Sequence, residues 1–335
     1  MDGGVTLQPV YEPDRFVSMV QHIERAGMKN LWLTDSSLHS RYAYAYLTLA
    51  AVNTATLRLG TAVTNPVTRH PALGAVGVST IDEISGGRAI YGIGAGDRPL
   101  EALGLRPARL ALLEDAIVAA RRLWSGEHIT MRARGFELDD AHLRFASRPD
   151  IPVYVSASGP KTLELAGRIA DGVILLAGLH PDGIEYALRH IDRGVDQGGR
   201  SARPEITVFA YGAIDEDEDA ALEAGRTIAA WFPMTAPMYC EIAGLSAELV
   251  ARVREEYSGG EFQEAARAAE LLPAEFVRRM ALAGDRAAAR EHIRTLAKLG
   301  IDSMTVFPIG GDATSRLATV TAFAECLREE GHLTG

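Results

Sequence analysis

The chain has 335 residues, of which 47% are hydrophobic and 23% charged, and its formal net charge is −10. That length and mixture can bury a large core, and the acidic balance argues against a phosphate-backbone partner such as a nucleic acid. The cysteines, Cys240 and Cys326, supply neither a disulfide framework nor a metal-ligand spacing, which suits a reducing compartment.

Apolar runs and amphipathic stretches alternate along the chain. Residues 5–8 read as a strand, and 14–26 as a helix stopped by Gly27. A second strand over 30–34 is followed by a helix over 44–54, and a third over 57–63 by a helix over 72–84 that Gly86-Gly87 would cap. Residues 88–92 make a fourth strand, with a helix over 106–123 after it. Further strands are expected over 152–155, 172–176, 206–210 and 301–307, with helices over 161–169, 182–196, 285–299 and 314–328. Eight such units predict a closed (β/α)8 TIM barrel spanning 1–335 as a single domain; a doubly wound open sheet is the alternative.

Two stretches depart from the repeat. Residues 127–145 alternate about Arg134-Gly135 and predict a β-hairpin excursion, whereas 231–273 predict a helical insertion over one barrel face. The acidic run 215–219 reads as a solvated helix start. The N-terminus lacks a charged segment followed by an apolar run, and the apolar helices are too short for a bilayer, so no signal peptide and no membrane partner are expected and the protein is assigned to the cytoplasm.

In a barrel the chemistry sits where strands end. The segments there are TDSSLHSR (34–41), TNPVTRHP (64–71), GAGD (94–97) and SASGPKT (156–162), all polar or glycine-rich. YGIGAGD (91–97) fails the dinucleotide fingerprint, because the sixth position from Gly92 is Asp97 and Arg98-Pro99 should interrupt a following helix. A plain turn and a close backbone approach to a planar cofactor both stay open. SASGPKT places Pro160 at the first position of a helix, so Ser158, Gly159, Lys161 and Thr162 surround free N–H groups able to hold an anion. Asp35 and Asp97 are the carboxylates best placed to bind a ligand or move a proton, and His39 and His70 fall in the same loops. No metal site is expected: HExxH is absent, as is the GxSxG elbow. Rim aromatics look sparse for sugar stacking, since Trp32 lies in a strand and Trp124 ends a helix.

The run LGTAVTNPVTRHPALGAVGVSTIDEISGGRAIYGIGAGD (59–97) resembles the bacterial-luciferase-like superfamily of flavin and deazaflavin oxidoreductases, and within it the methylenetetrahydromethanopterin reductase branch. PVYVSASGP and the following AGRIADG (152–172) and YGAIDEDEDAA (211–221) carry the same likeness. The resemblance implies a TIM barrel acting on a small molecule, usually with the deazaflavin coenzyme F420 as hydride carrier, and in relatives a homodimer. It places a non-proline cis peptide at Ala62-Val63, cofactor contacts at Asp35 and Thr64, a ring-facing loop at Ala95, Gly96 and Asp97, and the phosphate tail at Ser158, Gly159, Lys161 and Thr162. An acid at the position of Asp97 assists proton transfer in some relatives. The chain departs from the pattern at Ser36, where relatives often carry histidine, so His39 could substitute as proton donor. It departs again at Thr6, with Gln8 close by, where the methanopterin reductases place a glutamate. The expected activity is hydride transfer between F420 and a C=C, C=N or C=O group. The alternatives are a two-component monooxygenase using reduced FMN and a non-catalytic flavin-fold binding protein.

Overall fold

A computed structural model describes residues 1–257 and 262–333. Its strands are β1 (Asp2–Leu7), β2 (Asn30–Leu33), β3 (Arg58–Thr61), β4 (Ala89–Ile93), β5 (Ile129–Arg132), β6 (Glu137–Ala141), β7 (Val153–Ala157), β8 (Gly172–Leu175), β9 (Glu205–Ile214), β10 (Leu282–Gly284) and β11 (Ser303–Pro308). Parallel pairing runs β1–β2–β3–β4–β7–β8–β9–β11 and closes from β11 onto β1. This is the expected (β/α)8 barrel, with helices between successive strands.

Buried parallel strands show apolar residues on both faces, and here each face has its own partner. Val5, Leu7, Leu31, Leu33, Val153 and Val155 point out to the helices. Trp32, Ile90, Tyr154, Ile174 and Phe209 fill the interior. The large rings are accommodated by glycines on adjacent strands: a Cβ on Gly60 would lie 2.5 Å from the Trp32 ring, and one on Gly172 2.3 Å from the Tyr154 ring. Truncating such a buried aromatic to Ala costs about 3–5 kcal/mol. Arg58 and Glu205 pair at 3.4 Å at the N-terminal ends of their strands, and Arg58 Nη2 donates to Tyr154 Oη at 2.8 Å. Arg58, Glu205 and the Tyr154 hydroxyl thereby satisfy one another at this end.

The hairpin forms as expected, with β5 and β6 antiparallel and Gly135 in the turn at φ 122°. The insertion is helical over its described part, with Phe232–Thr235, Pro237–Ile242, Ala247–Glu256 and Ala266–Glu270; residues 258–261 lie outside the described residues. Gly86 caps Pro71–Ser85 in the left-handed conformation, and Asp217 caps Glu218–Ala229.

Several expectations are corrected. The third strand stops at Thr61 rather than 63, because the chain leaves the ladder at Ala62-Val63 and rejoins it at Thr64, whose N–H donates to Gly92 O at 3.0 Å. A one-turn helix, Arg98–Glu101, does follow Asp97; Pro99 is tolerated in a first turn, where no amide donor is needed. The next helix begins at Leu110 instead of 106. The strand expected over 206–210 runs to Ile214, and its extension pairs with β10, a three-residue strand too short to read from sequence. Gly212 pairs with Leu282 on one side and Pro308 on the other, so β10 takes over from β8 along one edge of β9.

Candidate active site

A cavity of about 450 Å³ opens at the C-terminal ends of the strands. Loops after β2, β3, β4 and β7 bring in Asp35 and His39, Ala62 and Val63, Gly94 to Asp97, and Ser158 with Thr162. Nine of the twelve expected site residues therefore share one wall: Asp35, His39, Ala62, Val63, Ala95, Gly96, Asp97, Ser158 and Thr162. Thr64, Gly159 and Lys161 lie off it. Thr64 is buried behind Asp35 and donates to its Oδ2 at 2.7 Å. Gly159 is the N-cap of Pro160–Ile169, and Lys161 stands exposed beside it. His70 sits apart, its Nδ1 accepting the Ala72 amide at 3.2 Å as a helix cap.

The glycine loop is bare for steric reasons. A Cβ on Gly94 would meet Val63 Cγ2 at 2.8 Å and Ser156 Cβ at 3.3 Å, so the loop presses directly on the Ala62-Val63 segment, whose peptide is cis. Gly96 takes φ 82°, a conformation that side chains disfavour. Backbone at Ala95 and Gly96 thus forms part of the cavity surface.

At the next corner the helix Pro160–Ile169 has no side-chain cap; Thr162 and Leu163 donate their amides to Gly159 O, which leaves the Lys161 amide and the partial positive charge of the helix start at the loop Ser158–Gly159. The loop is pinned from outside: Tyr239, in the insertion, donates its hydroxyl to Ser158 O at 2.8 Å. Burial raises the Tyr239 phenol well above its ordinary value, so it stays a donor.

The opposite side is aromatic, contrary to the sparse aromatics expected. Phe209, Tyr211 and Phe307 occupy inward positions of β9 and β11, with centroids 5.2 Å apart for Phe209–Tyr211 and 5.3 Å for Tyr211–Phe307. Trp231 from the insertion adds to them, 6.4 Å from Tyr211. Gln8 also lines the cavity, and Thr6 lies one layer deeper, bonded to Thr305 Oγ1 at 3.1 Å. The first strand therefore offers an amide to the site.

Sequence reading missed Arg69. Its guanidinium pairs with Asp35 through Nη1 to Oδ2 and through Nη2 to Oδ1, the latter at 3.2 Å. The TRHP segment places it in the right loop but gives no sign of its partner 34 positions away. Among the described residues no cluster of His, Cys, Asp or Glu could hold a metal ion.

A helix start, a side-chain-free strip and an aromatic face thus meet in one barrel mouth, an arrangement of the kind that suits an elongated ligand with a flat ring. The family description of luciferase-like monooxygenases matches residues 2–303. The chain is 34% identical over 311 residues to a 5,10-methylenetetrahydromethanopterin reductase of Archaeoglobus fulgidus, covering 90% of this chain and 91% of that protein. It is 32% identical over 340 residues to the reductase of the same name from Methanopyrus kandleri, covering 95% of each. The solved coenzyme F420-dependent tetrahydromethanopterin reductase of M. kandleri superposes with a TM-score of 0.86 at 27% identity, covering 98% of this chain and 99% of that one. The chain belongs to the luciferase-like family.

Proposed function

We propose that this protein is a coenzyme F420-dependent oxidoreductase, transferring hydride between the deazaflavin ring and an electrophilic C=C, C=N or C=O group of a small molecule. The observation that carries this reading is the continuity of one cavity from an uncapped helix N-terminus to a strip of bare backbone. The two methylenetetrahydromethanopterin reductases that match along nearly the whole chain, and the solved coenzyme F420-dependent reductase of M. kandleri, support the reading.

The residues present fit the group. Ser158, Thr162 and the amides at Gly159 and Lys161 would hold the phosphate tail, with Lys161 supplying a screened charge from the rim. Ala62, Val63, Ala95 and Gly96 would flank the ring, with Asp35 accepting a hydrogen bond at its edge and Thr64 supporting Asp35 from behind. When bound, the deazaflavin supplies a two-electron hydride carrier. Asp97 and His39, both on the cavity wall, would hold or deliver the proton that accompanies reduction. Phe209, Tyr211, Phe307 and Trp231 would exclude water and orient the acceptor. Titration with F420 and with FMN, each oxidised and reduced, tests this. Micromolar binding of FMN with none of F420 would move the protein to the monooxygenase reading. Tight binding without turnover over a broad electrophile panel would make it a binding protein.

The protein is further expected to act in the cytoplasm as a homodimer. Both cysteines are buried as free thiols, and no described helix is long and apolar enough to cross a membrane. Helices Ala43–Asn53 and Pro71–Ser85 are apolar around much of their circumference and leave Val52, Leu73 and Ile84 exposed, which suits burial against a second copy. Light scattering should give twice the chain mass, and Leu73→Glu with Val52→Glu should return it to a monomer.

A further inference from the structure

We propose that Arg69 is a positioning residue, seated against two tyrosine rings, that fixes the Asp35 carboxylate as a single-site acceptor on the cavity wall and thereby sets cofactor affinity. The inference rests on the functional reading above and deepens it at one corner of the site.

The guanidinium engages both carboxylate oxygens. Nη1 bonds Asp35 Oδ2 and also donates to Thr64 Oγ1 at 2.9 Å, Nη2 donates to Oδ1 at 3.2 Å, and Thr64 Oγ1 donates to Oδ2 at 2.7 Å. A carboxylate has about four lone-pair sites. Three are taken by this set, two of them on Oδ2, and the one left is on Oδ1. Asp35 lines the cavity, so that remaining position can accept one N–H or O–H from a ligand.

Burial makes the arrangement costly unless it serves something. The side chains of Asp35 and Arg69 are only 5% and 13% exposed. A buried ion pair is poor evidence of stabilisation, since apolar residues of similar size do as well or better. The rest of the Arg69 environment holds it in place. Its guanidinium carbon lies 4.8 Å from the Tyr44 ring centroid and 5.0 Å from that of Tyr42, a cation–π seat on two adjacent rings. Asn65 Oδ1 accepts the amides of Val67 and Thr68 at 3.0 and 2.8 Å, which fixes the loop that carries it. Burial works against the charge on Arg69, but the bond to Asp35 and its field outweigh that and hold the guanidinium above its ordinary value. The guanidinium therefore stays a donor to both Asp35 oxygens.

A double-mutant cycle on ligand affinity tests this, using Asp35→Asn, Arg69→Met and the pair. Wild type is first titrated with F420 and FMN, and the cycle is read with whichever binds. Failure of F420 to bind wild type counts against the functional reading and leaves the cycle readable on FMN. Each single change should weaken binding by about ten- to a hundred-fold, the loss of one charge-assisted hydrogen bond. The double variant should be no weaker than the weaker single. Penalties that multiply, or wild-type affinity in Arg69→Met, would overturn the proposal. If Arg69→Met does not fold, Arg69→Lys, which keeps the charge but cannot span both oxygens, should bind more weakly than wild type, and unchanged affinity would refute it.

Discussion

The phenol of Tyr239 donates to the carbonyl of Ser158 at 2.8 Å, so a residue of the helical insertion fixes the backbone of the loop assigned to the cofactor tail. Tyr239→Phe removes that bond alone, a loss of about 1 kcal/mol. Isothermal titration should show several-fold weaker F420 binding with little change in thermal midpoint. An unchanged affinity would mean the loop is set by Pro160 and the helix without help.

Lys161 is exposed at the mouth of the same corner. Lys161→Ala should weaken F420 binding by about three- to ten-fold at low salt and less at 0.5 M, as screening predicts. Binding of a deazaflavin trimmed of its phosphate tail should not change. Equal losses for both ligands would place Lys161 elsewhere in the mechanism.

Asp97 and His39 differ in what they should do to kinetics. If they handle the proton, Asp97→Asn or His39→Asn should lower kcat by about 10²–10⁴-fold while leaving the F420 dissociation constant within a factor of two or three. A rise in that constant with kcat intact would make the residue a cofactor contact instead.

Gly94→Ala tests the bare strip. The added methyl would meet Val63 at 2.8 Å and Ser156 at 3.3 Å, so this part of the cavity wall must shift. Cofactor affinity should fall by at least ten-fold, about 1.4 kcal/mol. Wild-type binding would show that the wall can give way.

Glu24 should govern part of the acid limb of stability. Its Oε1 accepts the amides of Ala55, Thr56 and Leu57 at 2.8, 2.6 and 3.3 Å, and the Thr56 hydroxyl at 2.8 Å. Partial burial acts to raise its carboxyl, but these donors outweigh it and hold it below the usual carboxylate range. A group with a depressed folded value stabilises above its unfolded value and loses that contribution as pH falls through the folded one. Chemical denaturation should find Glu24→Gln less stable than wild type at pH 7, with the gap closing as pH falls below the ordinary carboxylate range.

The eight barrel strands were legible because parallel strands buried on both faces read as continuous apolar runs. β10 was not, since Leu282–Gly284 is three residues long and becomes a strand only by pairing with the extended β9. The loops after the strands announced Asp35, Asp97, Ser158 and Thr162 by position. Arg69 and Tyr239 escaped because what matters about each is a partner tens of positions away, which single-residue chemistry does not disclose. Phe209 and Phe307 read as ordinary strand residues and Tyr211 fell just past the expected strand; only the longer β9 and closure of the barrel turn them toward the cavity.

The cavity wall is also divided along the chain. Residues assigned to the cofactor end by Thr162, while the aromatic face comes from β9, β11 and the insertion between them, which returns to the barrel through β10. Evolution can therefore rewrite the acceptor specificity from β9 onward while the carrier site stays in place, provided Tyr239 is kept to hold the Ser158 carbonyl. Grafting residues 205–308 between paralogues, with Tyr239 retained, should transplant substrate choice and leave the electron source unchanged.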